Sequence, residues 1–279
     1  MPPTVGTMAH DVRSRFARLV REPDADLAEL ALCCGAALTG EVDVDAELAR
    51  VDELAGLLDP AEVTGQPRAE AAALSALLAG ELGFHGDEAT YHDPRNGLLH
   101  ETLARRRGLP ITLAILYVAV ARRVGIRAHG CNTPGHFLVA VGEGSPPPVL
   151  IDAFDRGALL DPADVAARIP AVGEVAGGLA QVLRPASPVT ILRRVLANQV
   201  RDLQAAGELG RALTAVELTR LLPDSGSADV DQHARLLLGV GRFQDAAALV
   251  DDHLAAAEPP EPAATELARL ARAARARLN

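Results

Sequence analysis

The segment from residue 107 to residue 152 constrains the fold of this chain most strongly, because its apolar pattern changes within a few residues. Residues 110–124 are apolar around most of the helical circumference, which predicts a helix in the middle of a core. Beyond Gly125 the pattern becomes that of short strands, with an S-P-P-P turn at 145–148. The strands are predicted near residues 126–131, 136–142 and 149–154. A buried helix followed directly by strands is therefore the main structural prediction.

Two polar residues stand at the ends of these predicted strands. His136 opens the second strand, and Asp152 lies near the end of the third. A carboxylate that orients an imidazole is part of a catalytic triad, because it fixes the tautomer and stabilises the imidazolium. The same pair could instead be a structural hydrogen bond, a polar contact for a ligand, or a base that activates water. The sequence leaves these alternatives open.

Helices are predicted on both sides of this segment. Asp24 and Asp43 each precede an apolar helical run as a candidate N-cap. After about residue 185 the chain is wholly helical in pattern, and its G-R-A-L and G-R-F-Q-D-A-A segments lie roughly 31 residues apart. This spacing is close to the ~34-residue tetratricopeptide period. The predicted units are an N-terminal helical segment, a core and a helical tetratricopeptide-like tail, at residues 1–66, 67–185 and 186–279.

The charge of the chain limits its function. The 37 acidic residues against 27 basic residues give a formal charge of −10, which argues against nonspecific binding to nucleic acid. The chain contains no lysine, so a lysine Schiff base and a Walker-type phosphate loop are excluded. We therefore predict no nucleic-acid partner.

The apolar runs and the cysteines indicate a compartment. The first residues lack the apolar segment of a signal peptide. The longest apolar run, residues 109–121, is shorter than the roughly 20 residues that cross a bilayer. Cys33 and Cys34 are sequence neighbours and poor disulfide partners, which leaves Cys131 alone. We predict a cytoplasmic protein without a membrane partner.

Five motifs in a fixed order carry a family resemblance. They read E-L-G-F-H-G at 81–86, Y-H-D-P-R-N at 91–96, R-R-G-L-P-I-T-L at 106–113, P-G-H-F at 134–137 and I-D-A-F-D-R-G at 151–157. With these motifs the chain resembles the transglutaminase-like superfamily, in particular its bacterial SirB-type branch with a tetratricopeptide tail. The resemblance covers about residues 68–160, and the tail extends it to roughly residue 255. It implies an α+β, papain/transglutaminase-like core in which a central helix packs against an antiparallel sheet.

The resemblance also implies roles for single residues. His136 corresponds to the catalytic histidine of the superfamily, and Asp152 corresponds to its acidic partner. In the catalytic members a Cys begins the central helix, where the helix N-terminus and a nearby imidazole lower its pKa. That position falls near Pro110 or Ile111 here, and the SirB-type branch as a whole lacks Cys there. The residues expected to shape the site are Asn96, Pro110, Thr112 and Asn132.

Cys131 is the candidate replacement for the missing nucleophile. It lies five residues before His136 with Pro134-Gly135 between them, so a turn could bring the two side chains together. On a straight strand the odd separation would point them to opposite faces. Cys131 also lacks the helix-terminus position that lowers a thiol pKa. A buried apolar role is favoured over a catalytic one.

Two charged clusters allow further roles. A loop carries His85, Asp87, Glu88, His92 and Asp93, and such a mixture can hold a divalent metal. Because no tight ligand spacing is present, a solvated polar loop is favoured, and no metal or cofactor is predicted. Tyr91, Asp93 and Asn96 are expected to brace this loop and to cap the next helix. The arginines at 105–107 and 122–123 could meet an anion, although solvated helix ends are the more common role of such clusters.

The favoured function is that of a non-catalytic or substrate-binding member of the fold. It would bind a peptide or acyl-type ligand near His136 and a protein partner through its helical tail. The alternative is an acyl-transfer or amide-hydrolysing enzyme that uses His136 and Asp152 with Cys131 or an activated water. The enzyme requires a perturbed group or a reactive thiol beside His136 in an open cleft. A closed apolar environment at Pro110 and Ile111 would favour the first function.

Overall fold

A computed structural model of the protein describes residues 5–142, 148–257 and 259–278. Most of the predicted S-P-P-P turn lies outside the described residues. Helices precede and follow one small antiparallel sheet, which confirms the predicted α+β class. The helices are α1 Val5–Leu19, α2 Leu27–Thr39, α3 Val44–Gly56, α4 Pro67–Ser75, α5 Leu99–Arg105, α6 Pro110–Arg123, α7 Pro162–Arg168, α8 Gly178–Val182, α9 Pro188–Ala205, α10 Leu209–Thr219, α11 Ser227–Gly239, α12 Phe243–Ala257 and α13 Glu261–Ala276. The strands are β1 His85–Gly86, β2 Arg107–Gly108, β3 Ala128–Thr133, β4 His136–Val141, β5 Val149–Asp152 and β6 Ala158–Leu160.

The N-terminal helices begin at acidic caps. Asp26, and not Asp24 as predicted, caps α2 by accepting a hydrogen bond from the backbone N–H of Ala28. Asp43 caps α3 as predicted. Almost every residue of α2 is buried, because this helix packs against α1, α3, α6, α9 and α10. A helix surrounded in this way needs an apolar sequence all round.

Helix α6 occupies the centre of the core, as its sequence predicts. Its residues from Pro110 to Tyr117 are all buried, and it contacts strands β3 and β4. Leu113, Leu116 and Tyr117 are fully buried in the main hydrophobic cluster. The start of this helix is therefore closed and apolar.

The sheet is a meander of four antiparallel strands in the order β3-β4-β5-β6. Along β4 the side chains alternate between two clusters, since successive residues of a strand point to opposite faces. Phe137 and Val139 belong to the main cluster with α6, whereas Leu138 and Ala140 belong to a second cluster. Short elements between residues 162 and 183 cover this second face, namely α7, a 3-10 turn at Pro170–Glu174, and α8. The sheet therefore has a thickly covered face and a thinly covered face.

A two-residue turn joins β3 to β4. Thr133 pairs with His136 across it, and Cys131 pairs with Leu138. Gly135 takes a φ of 67°, a left-handed conformation that suits glycine. The turn Pro134-Gly135 thus determines where His136 begins its strand. We refer to residues 133–136 as the site hairpin.

The tail is joined to the core through α9. The backbone N–H of Ala186 donates to the carbonyl of Gly130 at 2.9 Å. Gln199 is fully buried and its Nε2 donates to the carbonyl of Pro94 at 2.8 Å. Helices α9 to α13 then pack in succession, each on the next. The main cluster contains residues from all three predicted units, for example Leu32, Leu116 and Leu196. Their boundaries stay a prediction.

None of the helices in the described ranges combines the length and the apolar character that a bilayer crossing requires.

Candidate functional site

His136 and Asp152 form a hydrogen-bonded pair. The Nε2 atom of His136 lies 2.8 Å from Oδ2 of Asp152. The other carboxylate oxygen, Oδ1, accepts hydrogen bonds from the backbone N–H groups of Phe154 and Asp155, each at 3.1 Å. The turn that follows β5 therefore holds the carboxylate in place, and the carboxylate orients the imidazole.

The protonation of this pair follows from its surroundings. Burial raises the pKa of Asp152, but the hydrogen bond from His136, its charge and the two backbone N–H groups together hold the pKa below its usual value. Asp152 stays ionised, and its Oδ2 accepts the hydrogen bond that the Nε2–H group of His136 donates. In the tautomer that carries its proton on Nε2, Nδ1 of His136 is a hydrogen-bond acceptor.

The pair lies in a cleft of about 380 Å³. The side chain of His136 is 21% exposed there. The walls of the cleft are Pro134, Gly135, Leu160, Arg168, Ile169, Pro170 and Ala171. Strand alternation places His136 on the same face as Leu138, and Asp152 on the same face as Leu150, which is the thinly covered face of the sheet. The dyad therefore faces away from α6.

The expected nucleophile position lies elsewhere. Pro110, Ile111 and Thr112 begin α6, where all of them are buried, and none of these residues lines the cleft. Phe154 lies beside His136, with the ring centroids 6.1 Å apart and the planes nearly perpendicular. The same Phe154 ring rests on Gly86 of β1, where a Cβ atom would come within 2.3 Å of it. Phe154 therefore contacts both His136 of the dyad and the strand pair that leads into α6.

Cys131 does not have the properties of an activated thiol. The turn does bring it to the face of His136, so the straight-strand alternative is wrong, because the chain reverses at residues 134–135. However, Cys131 is fully buried in the second cluster, and its Sγ contacts the carbonyl of Leu183 at 3.6 Å. Burial raises the pKa of the Cys131 thiol to about 12. The structure thus supports the buried apolar role.

Asn132 lies on the opposite side of the site hairpin from the cleft. Its Oδ1 accepts a hydrogen bond from Arg194 of α9. The same arginine donates to the carbonyl of Thr133 at 2.9 Å and lies 5.6 Å from the centroid of the Phe137 ring. Arg194 therefore connects the tail to the site hairpin, which the sequence did not indicate because 62 residues separate it from Asn132.

Asn96 braces a loop, as predicted, but it does not cap α5, which corrects the second part of the prediction. It is fully buried, and Leu98 occupies the N-cap position of α5. Its Nδ2 donates to the carbonyl of Thr90 at 2.6 Å, and its Oδ1 accepts from Arg105 at 2.9 Å. Arg105 also pairs with the buried Asp87 at 3.1 Å. This network holds the loop next to β1 and lies outside the dyad cleft.

The two charged clusters are largely engaged in contacts within the chain. His92 pairs with the buried Asp202 of α9 at 3.0 Å, and Asp93 pairs with Arg95. Arg122 donates to backbone carbonyls near the start of α2, and Arg123 pairs with carboxylates of α2 and α3. Within the described ranges, no group of three or more His, Cys, Asp and Glu side chains is arranged to hold a metal ion.

Comparisons with known proteins agree with the motifs. The family model of the transglutaminase-like superfamily matches residues 43–197, which is more than half of the chain. A UPF0162 protein of Xylella fastidiosa is 42% identical over 133 residues, covering 46% of this chain and 46% of the relative. UPF0162 protein PA3419 of Pseudomonas aeruginosa is 33% identical over 156 residues, covering 56% of this chain and 57% of the relative. The chain thus spans about half the length of these curated relatives.

More distant similarities exist. F-box only protein 21 of Mus musculus is 35% identical over 92 residues, covering 30% of this chain and 15% of that protein. Among solved structures, the crystal structure of menin, which reveals the binding site for Mixed Lineage Leukemia protein, has a TM-score of 0.43 at 13% identity. That match covers 88% of this chain and 69% of menin.

Proposed function

Because the chain belongs to the transglutaminase-like superfamily, we propose that it is a non-catalytic member that binds a peptide or acyl-type ligand in the cleft at His136. One observation carries this proposal. The His136–Asp152 pair is formed and open to a cleft, whereas each of the three cysteines is buried and has a raised pKa. A dyad without a reactive thiol retains its hydrogen-bonding capacity and lacks covalent chemistry.

The lining of the cleft suits an amide-containing ligand. Nδ1 of His136 can accept a hydrogen bond from an amide N–H, and Arg168 at the rim can donate to a carbonyl. Leu160, Ile169 and Pro170 supply apolar contact between these polar groups. A few polar groups among apolar walls are typical of sites that bind small molecules or peptides.

The test is a binding measurement on the whole chain. N-acetylated hexapeptides of alanine and leucine, titrated in a calorimeter, are expected to bind the unmodified protein and to lose at least about tenfold in affinity with His136→Ala, since one hydrogen bond to the ligand is removed. His253→Ala is the matched control, because His253 pairs with Ser227 in the tail. Equal affinities for all three proteins, or no binding to any, would contradict the proposal.

A hydrolytic enzyme is the second candidate, and the proton arrangement of the dyad favours it. In the tautomer that donates from Nε2 to Asp152, Nδ1 of His136 can accept a proton from a water in the cleft, and that water could attack an amide or thioester. Such an enzyme would release acyl products at a rate abolished by His136→Ala and unaffected by Cys131→Ala. Turnover that follows this pattern would replace the non-catalytic proposal. An acyl-transfer route through Cys131 has no support in the burial of that thiol.

A protein partner is proposed for the tail. Helices α11 and α13 leave a groove of about 340 Å³ between them, with Ala228 and Leu267 in its apolar walls and Asp231 and Arg235 among its polar groups. Successive helical hairpins of tetratricopeptide type bind short peptides or helices in such grooves. A photoreactive residue at Ala228 should cross-link a partner that one at Arg127 does not reach, and equal cross-linking from both positions would contradict this part of the proposal.

The location, the division into units and the absence of a nucleic-acid partner and a cofactor are also proposals. We place the protein in the cytoplasm and divide it at residues 66 and 185. We expect no nucleic-acid partner, because the formal charge is −10. No cofactor is required for ligand binding by the dyad.

A further inference from the structure

A second cavity lies next to the dyad cleft. Its volume is about 450 Å³, and Pro134 of the site hairpin lines both cavities. Asn132 of the edge strand β3 forms one side, and the segment 181–187 that leads into α9 forms the other. A ligand that lies along the dyad cleft can therefore reach the second cavity by passing Pro134.

Several polar side chains of the second cavity can donate hydrogen bonds. Arg184 lines it, and within the described residues no carboxylate oxygen lies within 4.0 Å of the Arg184 guanidinium. Asn132 uses its Oδ1 to accept from Arg194, so its Nδ2 is left to donate. The hydroxyls of Ser187 and Thr190 share one hydrogen bond at 2.9 Å, which leaves one hydroxyl proton for a ligand.

The local charge is positive although the chain is acidic. The described lining of the second cavity contains Arg184 and has no Asp or Glu. Arg194 lies directly behind Asn132, half-buried, and its recorded hydrogen bonds go to the neutral oxygens of Asn132 and Thr133. Burial lowers the pKa of Arg194. Because no carboxylate in the part of the chain that the structure describes pairs with Arg184 or Arg194, these two guanidinium groups favour an anionic ligand group.

We infer that the second cavity binds the C-terminal carboxylate of a peptide whose preceding residues occupy the cleft at His136. The inference rests on the proposed function, since it takes the occupant of the dyad cleft to be a peptide. A carboxylate fits because it accepts several hydrogen bonds in one plane, which a guanidinium, an amide and a hydroxyl can supply together. The apolar walls, formed by Val175 and Val182, exclude water from one side of these bonds.

The test compares two forms of one ligand on the full-length chain. N-acetylated alanine–leucine hexapeptides are prepared either with a free C-terminal carboxylate or with a C-terminal amide, and their affinities are measured by calorimetry. The carboxylate form is expected to bind at least about tenfold more tightly, which is the ratio expected from one charge-assisted hydrogen bond. Arg184→Glu should abolish the preference. Arg272→Glu, at an exposed position of α13, should keep it.

The outcomes separate this inference from the proposed function. If both peptide forms bind equally and His136→Ala weakens both, the carboxylate site is wrong while the dyad cleft still binds peptides. If neither form binds, both proposals are wrong. Inorganic phosphate is the third probe, because it offers negative charge without a peptide. Phosphate that binds at Arg184 as tightly as the carboxylate peptide would show a general anion site and overturn the inference.

Discussion

The two faces of the four-stranded sheet differ in what covers them. One face packs against α6 in a cluster that extends through the N-terminal helices and into the tail. The other face packs against α7, α8 and the turn between them, in a smaller cluster that has eight buried members among the described residues. The dyad cleft lies along this second face, and the second cavity adjoins it at the edge strand β3. A ligand site on the thinly covered face can therefore open without exposing the main core.

The two faces are expected to differ most in the free energy of unfolding that is lost when a buried leucine is replaced by alanine. Leu116→Ala, on the thick face, should lower the free energy of unfolding by about 4 kcal/mol, because packed helices surround the cavity and cannot collapse into it. Leu160→Ala, on the thin face, should cost only about 2 kcal/mol, because short elements can move into the space. Guanidinium unfolding of both variants measures the difference. Equal costs would show that the two faces are equally rigid.

The thiols test whether the thin face is closed to solvent. At pH 8 we expect Cys131 to react with iodoacetamide about a thousandfold more slowly than a free thiol, because its pKa of about 12 leaves little thiolate. The rate should be the same in His136→Ala, and Cys33→Ser with Cys34→Ser isolates the Cys131 signal. Rapid labelling that disappears in the His136 variant would instead show an activated thiol on this face.

The dyad should stabilise the thin face in a pH-dependent way. Asp152→Asn should cost about 1–2 kcal/mol at pH 7, since a charge-assisted hydrogen bond is lost. Because the folded pKa of Asp152 is depressed, its contribution is complete above the unfolded value of about 3.9 and is lost as the pH falls through the folded value. The gap between the two unfolding curves should therefore narrow below about pH 4. If the difference in the free energy of unfolding between the two proteins does not change with pH, the loss of stability comes from packing and not from the charge of Asp152.

The smallest effect is expected at the rim of the cleft. Arg168 pairs with Asp155 at 3.1 Å, and both side chains are at least half exposed. Arg168→Ala should therefore change the free energy of unfolding by less than about 0.5 kcal/mol. If Arg168→Ala weakens peptide binding, Arg168 contacts the ligand. A large loss in the free energy of unfolding would instead show that Arg168 stabilises the packing on this face of the sheet.

The packing on the thickly covered face of the sheet was easier to predict from the sequence. The apolar run of α6 predicts burial on all sides, and the helix is buried in this way. The motifs that contain His136 and Asp152 come together in a hydrogen-bonded pair, whose role as a site stays a prediction. By contrast, the sequence could not show that the dyad faces away from α6, because strand alternation assigns a residue to a face only once the register and the hairpin are known.

The positions of Phe154 and Asn96 depend on contacts with residues that are distant in the sequence. Phe154 belongs to a recognised motif, yet its position beside His136 follows from its packing on Gly86, far away in the chain. Asn96 has the residue type of a helix cap, but Arg105 and the carbonyl of Thr90 offered it buried partners instead. Local side-chain-to-backbone hydrogen bonds place Asp26 and Asp43 at helix N-caps, whereas contacts with distant residues place the side chain of Asn96.

The hydrogen bonds of Arg194 couple the docking of α9 to the position of the hairpin that carries His136. The arginine belongs to α9, and it holds the carbonyl of Thr133 and the amide of Asn132 on the hairpin that carries His136. A ligand that requires this hairpin in place must favour the docked position of α9, and docking must favour the ligand by the same factor, because linkage is reciprocal. Occupancy of the cleft would then stabilise the docked position of α9.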